Sequence, residues 1–321
     1  MTSWRCKRFI VTLASDLHCG NRPLGSVIRT LPFVPAHLPW YAVAAQLPRL
    51  FGWGDKSDSY QRAVNLLDPV LRFSPFLPLA ADADKPLLPW GADMDSIETD
   101  LLGSRYRMAL SHDTRGAVEN RRFENETLLA RSRSGKPTRL LGCCFWKPMK
   151  DEFGMTEAGE FVSAPSGRRK YPLADLLRNS QWGGQRNQGM GAIAAVEEAP
   201  TNDATDTASN PFFQRLAEGA TEFPRLALAP AQPGLFYLRY DQGNAAKIAG
   251  KPMPLCGRRY SQEKVSGRQA ESAAVVWDMG WRLRDAVTAG DITVDLKDRR
   301  YACLRENASD EANPLRAAER C

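Results

Sequence analysis

The sequence predicts an α+β protein built on a ferredoxin-like core, and three observations lead to this prediction. Through residue 198, the candidate elements follow the order strand, helix, strand, strand, helix, strand, which is the β-α-β-β-α-β order of that core. Residues 52–105 are polar and proline-rich and predict an insertion with some helix, outside the core. Residues 211–321 hold strand-like runs between turn signals and predict a β-rich C-terminal extension or a second small domain.

The first strand and the first helix are separated by a loop. A mostly β-favouring, alternating run predicts a strand over 7–17, and glycines and prolines predict a loop over 15–35. Apolar residues at helical spacing predict a helix over 38–51, in which Pro39 is tolerated in the first turn. Pro48 predicts that this helix ends early or kinks.

The middle of the core is predicted to be extended. Short strands are expected over 106–110, 121–130 and 140–146, and the last two are expected to form a hairpin over 121–146. The tip of this hairpin is the basic turn 131–139, where a Gly-Lys-Pro sequence separates the two runs.

The second helix, a glycine-rich loop and a final strand complete the core. Leucines on one face predict a short helix over 172–179, and small residues predict a strand over 192–196. An acidic segment over 197–210 predicts a linker. Further strands are expected over 235–240, 273–277 and 292–296, with a tail or fraying helix over 307–321.

Composition indicates an ordinary soluble protein. The chain has 321 residues, a net charge of +6 and a pI near 9.0, which is compatible with a polyanionic partner but does not establish one. Seven cysteines without C-x-x-C spacing favour a reduced cytoplasmic protein without a structural zinc site. No apolar stretch approaches the ~20 residues of a membrane span, and the N-terminus lacks the apolar core of a signal peptide.

The loop over 183–191 contains four glycines in nine positions, between a predicted helix and a predicted strand. Its backbone can approach a phosphate closely, and Arg186 adds a charged donor suited to the same anion. A tight connection without a ligand is the alternative interpretation. The dinucleotide fingerprint is excluded because a helix precedes this loop, and a P-loop is excluded because no Gly-Lys-Ser/Thr follows.

Three segments together resemble the RAMP superfamily, the repeat-associated subunits of class 1 CRISPR systems. The loop has the form G-x-R-x-x-G-x-G. The segment His18-Cys19-Gly20, Val27-Ile28-Arg29 and 31–38 is similar to the family's approach to its first helix. The segment Phe123-Glu124-Asn125-Glu126 is similar to the family's F-x-x-E strand. The resemblance covers roughly residues 8–198 and implies a ferredoxin-like, RRM-like RAMP domain over 1–198.

The resemblance implies binding of CRISPR guide RNA within an antiviral ribonucleoprotein complex of RAMP and other Cas subunits, with target nucleic acid contacted indirectly. The short loop between Gly20 and Val27 contains no aspartate, unlike the target-cleaving backbone subunits of type III systems. The better analogue is the Cas-five group, which caps the repeat-derived 5′ handle and usually does no chemistry. A backbone subunit lining the guide, and a scaffold whose residues after 200 contact protein, remain alternatives.

Catalysis is not the favoured interpretation. A RAMP endoribonuclease that processes precursor RNA without metal commonly uses a histidine as general base, and His18 and His37 flank the first loop. The competing interpretation is that His18 packs at the end of a strand and that His37 caps or lines the first helix. His112 is expected at the surface. No metal-ligand spacing is present, and no cofactor is expected.

Candidate RNA-binding residues lie in the glycine-rich loop and in basic clusters. Trp182, beside the loop, could stack on a base or belong to the core. The candidates are Gly183, Gly184, Arg186, Asn187, Gly189 and Gly191 in the loop, and Arg29, Arg131, Arg133, Lys136, Arg139, Arg168, Arg169 and Lys170 elsewhere.

Overall fold

The protein is a mixed α+β chain with many strands and few helices, as the sequence predicts. The computed structural model describes residues 3–54, 56–80, 85–110, 113–115, 117–149, 153–163, 169–199, 223–227, 233–241, 245–255, 258–260, 266–270, 274–284 and 292–306. Most of the predicted linker and the whole predicted tail lie outside these residues. The chain divides into two compact units, Trp4–Asn202 and Asp203–Cys321. Within the described ranges, no helix has the length and apolar character needed to cross a bilayer.

The first unit contains strands β1 to β12 and helices α1 to α5. The strands are β1 (Arg5–Leu13), β2 (Gly20–Leu24), β3 (Val27–Thr30), β4 (Leu71–Phe73), β5 (Leu77–Pro78), β6 (Leu102–Leu110), β7 (Ala117–Leu128), β8 (Arg139–Trp146), β9 (Phe153–Met155), β10 (Glu160–Ser163), β11 (Arg169–Pro172) and β12 (Ile193–Glu198). The helices are α1 (His37–Ala44), α2 (Leu47–Leu50), α3 (Ser57–Leu67), α4 (Met94–Ser96) and α5 (Leu173–Arg178), with a π-helical turn over Ile97–Leu101 and a 3₁₀ turn over Arg186–Gln188.

The central sheet has the order β12-β1-β8-β4, and β5 also pairs with β8. All of these pairings are antiparallel, so β1 runs parallel to β4 and β8 runs parallel to β12. Strand β8 lies between the first parallel pair, and β1 lies between the second. Because α1 precedes β4 and α5 precedes β12 along the chain, the sheet consists of two interlocked β-α-β crossovers.

The core of this unit contains one face of the central sheet together with α1 and α5. Phe9, Val11 and Leu13 alternate along β1 and are buried, as alternation in a strand requires. On α5, three buried leucines recur at helical spacing. Trp40 of α1 is fully buried, and its indole N–H donates to the carbonyl of Leu71, 3.1 Å away. This bond satisfies the polar atom of a large apolar side chain.

A second sheet has the order β2-β3-β7-β6, with β3 and β7 parallel. The predicted loop over 15–35 is therefore partly wrong, because it contains β2 and β3. Gly25 lies between these strands with φ +60°, a conformation that glycine adopts without steric penalty. Of the residues interpreted as loop signals, Gly25 forms the turn of this hairpin, and Gly20 and Pro23 belong to β2.

The prediction that residues 52–105 lie outside the core is wrong for their central part. Leu71, Phe76 and Leu77 are fully buried, and β4 and β5 pair with β8. These strands have two and three residues, too few to show alternation. Only the pairing with β8 makes them strands.

The predicted hairpin over 121–146 is also wrong, although both of its strands exist. Strand β7 pairs with β6 and β3, whereas β8 pairs with β1, β4 and β5. Strand β8 is buried along Leu140–Trp146, and a strand that is apolar on both faces belongs in the middle of a covered sheet. The chain therefore crosses from one sheet to the other at the basic turn.

The helix predicted over 38–51 is divided into α1 and α2. Pro48 lies in the first turn of α2, where its missing N–H is tolerated, so the predicted break is confirmed. Strands β9, β10 and β11 form a separate three-stranded antiparallel sheet.

Within its described residues, the second unit contains strands β13 to β22. They are β13 (Arg225–Ala227), β14 (Leu238–Arg239), β15 (Ile248–Ala249), β16 (Pro252–Leu255), β17 (Arg258–Tyr260), β18 (Ser266–Ala270), β19 (Ala274–Trp277), β20 (Arg282–Leu283), β21 (Ile292–Asp295) and β22 (Cys303–Glu306). Strands β14, β19 and β21 confirm the three strands predicted here. Trp281 is buried against Gly234, where an added Cβ would lie 2.0 Å from the indole ring.

We predict that Gly142→Ala lowers the free energy of unfolding by about 1–3 kcal/mol, because a Cβ at Gly142 would lie 2.6 Å from the ring of the fully buried Phe76. Gly91→Ala is the control, since its Cβ would meet only the carbonyl of Leu88 at 3.9 Å. Urea denaturation followed by tryptophan fluorescence measures both variants. Equal midpoints would contradict the prediction, and Phe76→Leu should recover part of the loss in the Gly142→Ala background.

Candidate nucleic-acid interface

The segment Asp16–His18, which follows β1, lies between the glycine-rich loop and β7. On one side, the carbonyls of Asp16 and His18 accept hydrogen bonds from the N–H groups of Gly191 and Gly184, each 2.9 Å long. On the other side, Leu17 and Leu128 exchange two backbone hydrogen bonds of 2.8 Å. The segment therefore joins the loop to the second sheet through main-chain bonds.

Gly183 and Gly191 have no room for a side chain. Both adopt φ +75°. A Cβ at Gly183 would lie 2.4 Å from the carbonyl oxygen of His18, and one at Gly191 would lie 1.9 Å from that of Trp182. These contacts are with backbone, which cannot move aside as a flexible side chain can. The two glycines thus hold the loop against Asp16–His18.

The middle of the loop faces outward. Arg186, Asn187 and Gly189 are exposed, and nothing lies within 4 Å of a Cβ built at Gly189, which has φ +79°. Among the described residues, the Arg186 side chain has no hydrogen bond or ion pair. The loop accordingly presents an exposed cation on a turn that is anchored at both ends.

Trp182 and Met190 anchor the loop through their buried side chains. Trp182 is fully buried, its indole N–H donates to the Ser180 hydroxyl at 2.7 Å, and its ring centroid lies 4.9 Å from that of Phe76. Trp182 therefore belongs to the core and is not available to stack on a base. Met190 is buried as well.

The hairpin of β6 and β7 contacts both the Asp16–His18 segment and the loop, through residues that are not among the sequence-based candidates. Arg105 donates twice to one carboxylate oxygen of Asp16, at 2.7 and 3.0 Å, and the other oxygen accepts from the N–H of Ala130 at 2.9 Å. Arg107 contacts the sulfur of Met190 at 3.9 Å.

A second bond across this contact joins β7 to the loop directly. The Asn125 amide donates to the Gln185 side chain at 3.1 Å, and Asn125 belongs to the F-x-x-E segment noted in the sequence. The F-x-x-E motif therefore marked one side of this contact in the sequence. The strand pairing that aligns Asn125 with Arg105 could not be read from the sequence.

His18 occupies a structural position. Its side chain is buried, and Nδ1 lies 2.7 Å from the carbonyl oxygen of Glu126. A carbonyl only accepts, so Nδ1 carries the proton. Burial raises the pKa of the neighbouring Cys19 thiol well above its ordinary value, so this thiol is not a thiolate nucleophile at neutral pH.

The other two histidines are placed differently. His37 is the first residue of α1, half-buried, with its ring centroid 6.4 Å from that of Tyr41. His112 lies outside the described residues. In the described part of the chain, no three or more His, Cys, Asp or Glu side chains cluster as a metal site would require.

The described basic candidates outside the loop belong to different sheets and to the basic turn. Arg29 lies 3.5 Å from the Glu126 carboxylate, which also accepts from the N–H of Thr30 at 2.9 Å. Lys170 pairs with Glu160 at 3.1 Å in the β9–β11 sheet, where Arg169 is exposed. Arg168 lies outside the described residues.

The basic turn over 131–139 is folded back on the protein. Arg131 donates to the carbonyl of Gly135 at 3.1 Å, and Arg133 donates to that of Leu102 at 3.1 Å. Lys136 is exposed and Arg139 is half-buried in β8. Part of this charge therefore stabilises the turn and is not free to reach away from the fold as expected.

No protein-family model and no characterised protein matches the sequence. Among solved structures, the chain is similar to one in the type III-B Cmr-beta complex bound to cognate target RNA and AMPPnP, with 11% identity, a TM-score of 0.42 and 86% of each chain covered. A chain of the Csm3-Csm4 subcomplex of the type III-A CRISPR-Cas interference complex has 10% identity and a TM-score of 0.42, with 93% of this chain and 98% of that chain covered. A chain of Cmr-beta bound to cognate target RNA gives 10% identity, a TM-score of 0.40 and coverages of 94% and 99%.

We predict that Gly191→Ala destabilises the protein by about 3 kcal/mol or more, because its Cβ would overlap the backbone of Trp182. Gly189→Asn should change stability by less than about 1 kcal/mol, since asparagine tolerates the left-handed conformation and the space is open. Thermal unfolding of the two variants checks this contrast. Similar losses of stability in both variants would contradict the prediction, because the close approach of residue 191 to the Trp182 backbone would then carry no special cost.

Proposed function

We propose that this protein is a non-catalytic RNA-binding subunit of a type III-like CRISPR effector complex. In that complex it holds the repeat-derived 5′ handle of the guide RNA for antiviral defence. The observation that carries the proposal is the anchored loop over Gly183–Gly191, which is braced by two glycines and presents Arg186 to solvent. Such a turn suits the RNA backbone, because phosphate contacts come from arginines and from backbone N–H groups.

The topology of the first unit supports a RAMP domain over residues 1–198. Its two interlocked β-α-β crossovers, with sheet order β12-β1-β8-β4, are the arrangement of a ferredoxin-like unit. The glycine-rich loop joins the second crossover helix, α5, to the last strand, β12. This is the place that the G-x-R-x-x-G-x-G resemblance requires.

The three segments that resemble the family also meet in space. His18 accepts at its carbonyl from Gly184 of the loop, and its ring bonds to Glu126 of the F-x-x-E segment. These residues are far apart in sequence, so the contacts among them are evidence separate from the similarity of the motifs. The contacts support one shared function for the three segments.

The environment of His18 supports holding rather than cleavage. A general base needs access to the proton that it removes, but the His18 side chain is only 5% exposed and its Nδ1–H is committed to a backbone carbonyl. We assign to His18 the role of bridging the loop and β7.

The remaining partners of the proposal are protein subunits. We propose that residues 211–321, as an extension or second small domain, contact neighbouring RAMP or Cas subunits, and that target nucleic acid is reached through the guide. Co-purification of these subunits with the full chain, but not with a chain lacking residues 211–321, would support this assignment.

We predict that the purified protein binds repeat-derived single-stranded RNA with a strong dependence on salt. Arg186→Ala should reduce the slope of log K against log salt by about 0.7, the value for one phosphate contact on a single strand. Arg5→Ala is the matched control, because Arg5 lies at the opposite end of β1 and pairs with Glu157 at 2.9 Å. Fluorescence anisotropy between 50 and 300 mM salt measures both variants.

Binding that does not depend on salt, or an Arg186→Ala variant that behaves like the wild type, would contradict the proposal. Incubation with precursor RNA in EDTA addresses catalysis. Specific cleavage that is lost in His18→Ala or His37→Ala would instead identify a metal-independent endoribonuclease.

A further inference from the structure

We propose, on the premise that the protein binds RNA as above, that Gln185 donates its side-chain amide to a phosphate oxygen of the bound RNA. Asn125 would orient that amide. Neither residue was among the sequence-based RNA candidates. Three observations lead to this assignment: the backbone conformation of Gln185, the burial of Asn125 and the charge around the loop.

Gln185 adopts φ +56° and ψ +30°, the left-handed conformation. Its neighbours in the loop with positive φ, Gly183, Gly189 and Gly191, are all glycines. A glycine at 185 would relieve the steric strain of this conformation. A side chain retained in a strained position suggests that the side chain itself has a use.

Asn125 is fully buried on β7 and directs its amide at Gln185. Its Nδ2 donates to Oε1 of Gln185 at 3.1 Å, whereas its Oδ1 has no partner among the described residues. A buried polar side chain without full satisfaction is less favourable than an apolar one of similar size. The bond to Gln185 is the one interaction of the Asn125 side chain within the described part of the chain.

This bond orients the Gln185 amide. Oε1 accepts from Asn125 and keeps a second lone pair. The two Nε2 hydrogens of Gln185 have no partner among the described residues. They suit an oxygen ligand, and phosphate oxygens receive most such contacts in nucleic-acid complexes.

The charge around Gln185 favours an anion. Arg186 follows it directly and has no partner among the described residues. Arg105 lies opposite Asn125 across the hairpin with its side chain 55% exposed, and its charge is paired with Asp16. Arg107 contacts Met190 of the same loop. A phosphate beside Gln185 would therefore meet neutral and cationic donors together.

Two substitutions test this assignment, and only the first changes the backbone preference. Gln185→Gly removes the amide and relieves the strain but leaves the buried Asn125 amide without its partner, so we expect RNA affinity to fall about tenfold with only a small change in Tm. Gln185→Glu keeps the shape and the bond from Asn125 but places a negative charge at the phosphate, so we expect a larger fall. Gln188→Ala, an exposed glutamine in the same loop, should bind within twofold of the wild type.

Anisotropy titrations with poly(U), poly(A) and the repeat-derived RNA, with Tm measured on each variant, separate the outcomes. A uniform loss across the three RNAs supports the phosphate assignment. A loss confined to one RNA would show a base contact and overturn it, and so would wild-type affinity in both Gln185 variants. Absence of binding by the wild type would overturn the proposed function itself, which distinguishes that failure from the failure of Gln185 alone.

Discussion

The first unit depends on the close fit of Asp16–His18 between two other parts of the chain. Two of its carbonyls are satisfied by the glycine-rich loop, and Leu17 is satisfied by β7. Buried backbone groups need such partners, so the backbone hydrogen bonds of these three segments depend on one another. The approach to His18 and Trp182 is close enough that Gly183 and Gly191 cannot carry side chains. The backbone of Asp16–His18 thus determines where the loop, the hairpin of β6 and β7 and the central sheet meet.

Much of the secondary structure could be predicted because it depends on local patterns. Alternation identified β1, and leucine spacing identified α5. What failed was pairing between distant strands. Strand β4 has only three residues, and its burial depends on β8, some seventy positions later. Likewise, β7 and β8 are neighbours in sequence, but their different polarity places them in different sheets.

The motifs of the candidate site could be predicted from the sequence, but the side-chain contacts between them could not. The loop and the F-x-x-E segment were visible as motifs, whereas the pairing of Arg105 with Asp16 and of Asn125 with Gln185 depends on sheet register. Charge clusters were misleading for a related reason. Arg29 and Arg133 are engaged by Glu126 and by the carbonyl of Leu102, and a sequence shows how many cations are present but not which are occupied.

The central position of β1 has a consequence for synthesis of the chain. Strand β1 is made before its two neighbours in the sheet, β8 and β12, which end at residues 146 and 198. Both hydrogen-bonding edges of β1 are open until β8 is made, and one edge stays open until β12 is made. Open edges recruit other strands. Because contacts over such separations form slowly, β1 is exposed to aggregation during most of the translation of the first unit. A ribosome-bound chaperone, or rapid elongation through residue 198, would shorten that exposure.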